Sequence, residues 1–157
     1  MTLLVVAVPW SVPALILASI AAGVLATLAM DAVMPRIAEG EMPPRIASGV
    51  LTGQAPDHAP RRLANVVHYV AGSLTGPLFL WLSLVAALFV EPGALAVVVA
   101  TLVCYPLMVG FFVLVPLPRA QGLARQRVKG IGQAWAVEAA VYLLVLAPTI
   151  AVLGWLL

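Results

Sequence analysis

Long apolar runs separated by short charged connections dominate this chain, and the runs are continuous rather than alternating. Residues 1–30 carry no charged side chain. A helix needs about 20 apolar residues to cross the hydrocarbon core of a bilayer. By that measure the pattern predicts an all-α polytopic membrane protein: one transmembrane domain with four helices in an antiparallel bundle. The spans fall at about 13–35, 63–90, 94–117 and 131–157, with connections at 36–62 and 118–130. A closed β-barrel would alternate apolar and polar residues, which these runs do not. The first run is longer than one crossing requires. Pro9 and Pro13, flanking Trp10 and Ser11, are expected to kink it or to set off a short interfacial lead from a helix starting near Pro13. The run is too long for a secretory signal and lacks its positive n-region, so it reads as part of the mature chain.

Composition agrees with the pattern. Of 157 residues, 64% are hydrophobic and only 9% charged, and the mean hydropathy is +1.13. A soluble domain has roughly a quarter of its residues charged. The net charge of +2 says less than where the charges sit. All eight basic residues lie in the first and third connections, while the second, "VEPGA", holds one acid and no base. The positive-inside bias places the basic connections in the cytoplasm and both termini outside, in the cytoplasmic membrane. No basic, aromatic-interleaved run suggests nucleic acid. Within "PPRIASGVLTG", Ile46, Val50 and Leu51 recur at helical spacing after a proline pair, which predicts a short interfacial helix in the first connection. A gate over the cytoplasmic mouth is the alternative reading of that segment. The third connection is basic and acid-free, so anionic lipid headgroups are its expected partners.

Candidate chemistry lies on three polar stripes. Counting back by fours from Asp31 gives Thr27, Gly23 and Ser19, a column of small or polar residues on one helix face. The second span carries Asn65, His68, Gly72, Thr75 and Gly76 at steps of three and four, including a GxxxG pair. Small residues let membrane helices approach closely, so Gly23, Gly72 and Gly76 are predicted packing positions. The fourth span holds Glu138 with Tyr142 one turn on. At ~1.5 Å per residue, Asp31, His68 and Glu138 fall at similar depth, ~7–9 Å from the basic end of their spans. Charge in hydrocarbon is costly, so these groups are expected to face the interior and meet there.

Such a site suits proton or cation handling, with Asp31, His68 and Glu138 as the binding groups and Asn65, Thr27 and Tyr142 beside them. The competing reading is structural pairing, with Asp31 snorkelling or pairing with Arg36. A divalent metal or a haem at His68, Asp31 and Glu138 is a third reading, but no pair on one helix fixes two ligands, and no cofactor is predicted. Cys104 has no partner for a disulfide or CxxC site and reads as a small core residue. Pro106 is expected to kink the third span. Enzyme motifs such as HExxH or a GxS nucleophile turn are missing, and Ser73 and Ser48 have no visible base. Transport or conduction as a homo-oligomer is the function expected, since four spans are too few to enclose a wide path. The alternative is an accessory subunit of a larger membrane complex.

The segments "GVLATLAMD" (Gly23–Asp31) and "HYVAGSLTGPLF" (His68–Phe79) resemble the YagU-like four-helix integral membrane proteins. Those combine a G-x-x-x-T-x-x-M first span with an H-x-x-x-G-x-x-x-G second span. The resemblance covers about the first half of the chain. It implies a four-span bundle in which His68 and Gly72 belong to the shared pattern, and it implies no activity.

Overall fold

Helix-forming Ala and Leu fill the apolar runs, and a computed structural model, which describes residues 11–155 (side chains to 153), is helical throughout. The five helices are α1 (Val12–Val33), α2 (Met42–Thr52), α3 (Arg61–Ala86), α4 (Ala94–Leu114) and α5 (Arg125–Trp155). Among the described residues there are no strands. Four of the helices, all but α2, are long and apolar enough to cross a membrane. Pro9 and Trp10 lie outside the described residues, so the expected lead before the first span does too.

Prolines and glycines mark the ends. Pro13 sits in the first turn of α1, where a missing N–H is not needed. At the other end Pro35 has no N–H to continue the ladder, and the chain tightens into a 3₁₀ turn, Met34–Arg36. Helix α2 carries Pro43 and Pro44 in its first turn and stops at Gly53, whose φ of 68° is left-handed. Pro77, Pro106 and Pro148 all lie inside long helices that run on past them. Helix α5 begins at Arg125, six residues before the expected span. Arg, Gln and Lys are good helix formers, so the helix extends beyond its apolar part.

Helix α1 packs against α3 and α5, α4 against α5 and α3, and α2 against α3. The core of these contacts is Ala22, Ala26, Met30, Phe79, Tyr142 and Leu146, with Cys104 wholly buried beside them. A second cluster under α2 joins Met42 and Ile46 to Phe112, Leu117 and Ile131. Ile46 of the apolar face of α2 is thus wholly buried with Val50 partly so, whereas Leu51 is exposed.

The α1–α3 seam is built from small residues. A Cβ at Gly76 would overlap the Ser19 carbonyl oxygen, and one at Gly72 would overlap the Thr27 hydroxyl. One at Gly23 would come 2.6 Å from the Gly72 carbonyl oxygen. The two stripes of α1 and α3 thus press directly on each other, backbone to backbone.

Candidate functional site

At the basic end of this seam Asp31 meets α3. Its Oδ1 lies 2.7 Å from His68 Nε2, and its Oδ2 accepts a hydrogen bond from the Tyr69 hydroxyl at 2.5 Å. The His68 side chain is 10% exposed and that of Asp31 34%. Asp31 does not pair with Arg36, whose guanidinium instead donates to the Ala32 carbonyl. The aspartate that interrupts the first apolar run is therefore hydrogen-bonded across the helix interface, and it stays partly exposed. Tyr69 stands edge-on to His68, 5.6 Å between ring centroids. Sequence reasoning passed over Tyr69, since one step from His68 turns a residue about 100° around the helix. The only signal for it is that it adjoins a residue on the polar stripe.

Glu138 makes no hydrogen bond to that cluster. It is 0% exposed, and neither carboxyl oxygen has a hydrogen-bond partner among the described residues. It lies under the turn that follows α1. A methyl group at Gly40 would come 2.9 Å from Glu138 Oε1 and 3.1 Å from the Ile37 carbonyl oxygen, and would overlap the Met34 carbonyl oxygen. Glycine at 40 leaves the space in which the carboxyl sits, beneath a turn closed by its own hydrogen bonds, Ile37 N–H to the Met34 carbonyl and Gly40 N–H to the Ile37 carbonyl.

The remaining predicted residues are placed as follows. Asn65 lines a polar cleft of about 390 Å³ with Asp31, His68 and Tyr69. Thr27 turns its hydroxyl to the Gly23 carbonyl of its own helix, at 2.8 Å. The Tyr142 hydroxyl donates to the Gly72 carbonyl at 2.6 Å and so ties α5 to the seam. Ser48 and Ser73 donate to the backbone carbonyls of Pro60 and Tyr69. Among the described residues no three His, Cys, Asp or Glu side chains gather as a metal site would require.

A charged clamp that the sequence pattern left unread closes the basic end. Arg127 of α5 holds Glu39 through two hydrogen bonds, 2.8 and 3.0 Å. It also reaches Asp57 at 2.9 Å. Its charge is thus answered by the first connection. Glu39 adopts φ 63°, a left-handed conformation that disfavours residues with a Cβ. Hydrogen bonding to the Arg127 guanidinium holds both carboxyls below their usual range. This strained turn, pinned by Arg127, is the one that roofs Glu138.

Comparison with protein-family models, curated proteins and solved structures finds no match to this chain. The site's chemistry is therefore read from its own residues.

Proposed function

We propose that this chain is an integral protein of the cytoplasmic membrane that handles protons or a small cation at Glu138. In this reading the four long helices cross the bilayer in alternating directions. The two basic connections are cytoplasmic, and α2 lies at that interface. The observation that carries the reading is the Glu138 carboxyl, wholly buried and, among the described residues, without a hydrogen-bond partner for either oxygen. A buried carboxylate left unpaired costs several kcal/mol. Only a donor or a positive charge suits that place, which means a proton on the carboxyl or a cation bound to it.

Asp31, His68 and Tyr69 form a hydrogen-bonded chain at the same end of the molecule, open to the polar cleft. Imidazole can accept and release a proton near neutral pH. In the proposed mechanism this cluster exchanges protons with the cytoplasm, and Glu138 is loaded beneath the Ile37–Glu41 turn. Four helices enclose no wide path, so conduction would need more than one copy.

The test is proton flux into liposomes for wild type and Glu138→Gln. The amide keeps the shape and removes the titratable group. Flux in wild type that falls to the level of empty vesicles in Glu138→Gln supports the reading. Equal flux in both proteins, or none in wild type, removes it.

A further inference from the structure

A second feature is an apolar cleft of about 470 Å³ that runs between α3 and α4. Thr27, Met30, Trp135 and Tyr142 form its floor, and Pro43, Pro44 and Ala47 of α2 close its basic end. Leu78, Leu107 and Phe111 border it and are themselves exposed, by 44%, 52% and 64%. In a membrane those side chains meet lipid, so the cleft opens sideways into the bilayer rather than to water. Its wall on α3 runs from Val67 to Leu78, or ~16 Å of helix. That is half the ~30 Å hydrocarbon core, the depth of one leaflet. Volumes of this order hold a small organic ligand.

The apolar cleft does not end blindly. His68 and Pro44 border both it and the polar cleft of about 390 Å³. That second space carries charge of both signs, Asp31 and Glu41 against Arg45 and Arg61. The Arg45–Glu41 contact is long, 3.5 Å, and Glu41 is largely exposed, so both groups can take other partners at little cost.

We propose that the two clefts together bind a zwitterionic glycerophospholipid of the phosphatidylethanolamine kind. One acyl chain lies between α3 and α4, and the headgroup lies among Asp31, Glu41, Arg45 and Arg61. The phosphate meets the arginines, which bind such oxygens well. The primary ammonium donates hydrogen bonds to the carboxylates. A choline headgroup has no N–H to donate, and a glycerol headgroup brings no positive charge to the two acids. The mixed lining therefore favours an ammonium–phosphate pair over either.

The full chain, reconstituted in vesicles of equal phosphatidylethanolamine, phosphatidylglycerol and phosphatidylcholine and then extracted, tests this by native mass spectrometry of the retained lipid. Phosphatidylethanolamine is expected to be retained well above its share of the mixture. Ala71→Phe fills the cleft from an exposed wall position and should cut retention about tenfold, the equivalent of about 1.4 kcal/mol. Arg61→Gln, on the exposed start of α3, should lower retention several-fold while thermal unfolding stays unchanged. Leu144→Phe, on a distant exposed face, should leave it as in wild type. Lipid retained in proportion to the mixture overturns the proposal, as does a preference for phosphatidylglycerol. So does full retention in both Ala71→Phe and Arg61→Gln.

Discussion

Asp31 interrupts an apolar run because a partner is waiting on another helix. Two groups of α3, His68 and Tyr69, reach its two oxygens, so the carboxylate is answered without leaving the helix interface. Hydrogen bonds to charged groups contribute about 1.5–3 kcal/mol, and less where the site is open to water. Tyr69→Phe is expected to cost about 1 kcal/mol in thermal unfolding, at the lower end because Asp31 is a third exposed. Asp31→Asn keeps the shape but removes the charge, and it is expected to slow flux rather than unfold the protein. Glu138 shows the limit of reading depth from sequence. Spacing along α5 gives its distance from the basic end, but direction around the helix and the fold of the Gly40 turn decide what it meets. Those put it beneath the Gly40 turn, without a hydrogen bond to the Asp31–His68 pair.

Between elements, glycine placement governs how closely α1 and α3 approach. The Gly23, Gly72 and Gly76 stripes were legible because steps of three and four on an apolar helix define one face. The structure adds what each glycine touches. At Gly76 a Cβ would strike the Ser19 backbone, which cannot swing aside as a flexible side chain can. Gly76→Ala is therefore expected to cost about 1–3 kcal/mol through forced separation of the helices. At Gly110, in α4, an added methyl group would meet no atom of the described residues within 4 Å. Gly110→Ala is expected to be neutral or to stabilise by up to about 1 kcal/mol, since alanine favours the helix. Equal losses in the two variants, measured by denaturant unfolding in detergent, would contradict this account of the seam. The early start of α5 has a different lesson. Hydropathy reports where lipid can be, whereas helicity depends on propensity, so the polar first turns of α5 lie beyond what the apolar pattern marks.

For the whole molecule, Arg127 joins the two connections at the basic end through Glu39 and Asp57. Both carboxyls have folded-state pKa values below their ordinary values of 4.5 and 3.8. A depressed pKa means that the clamp's stabilisation is present above the ordinary values and is lost as pH falls through the depressed ones. Wild type should thus lose its thermal advantage over Arg127→Gln on acidification below the carboxylate range and keep it at neutral pH. Because Asp57 is half exposed and Glu39 a quarter exposed, solvent and salt screening keep the effect modest. A gap between the two melting temperatures that does not change with pH would show that the clamp contributes nothing through charge.

The chain's own order of residues determined the four apolar helices, the short helix of the first connection and the facing small-residue stripes. All of these follow from local periodicity and from the cost of exposing backbone to hydrocarbon. Tertiary structure alone decided that Tyr69 joins Asp31, that Arg127 reaches Glu39 across 88 residues, and that Glu138 stands without a hydrogen-bond partner among the described residues. The reason is geometric. Period and propensity place a side chain along and around its own helix, but which groups meet depends on how separate helices and turns are set against one another.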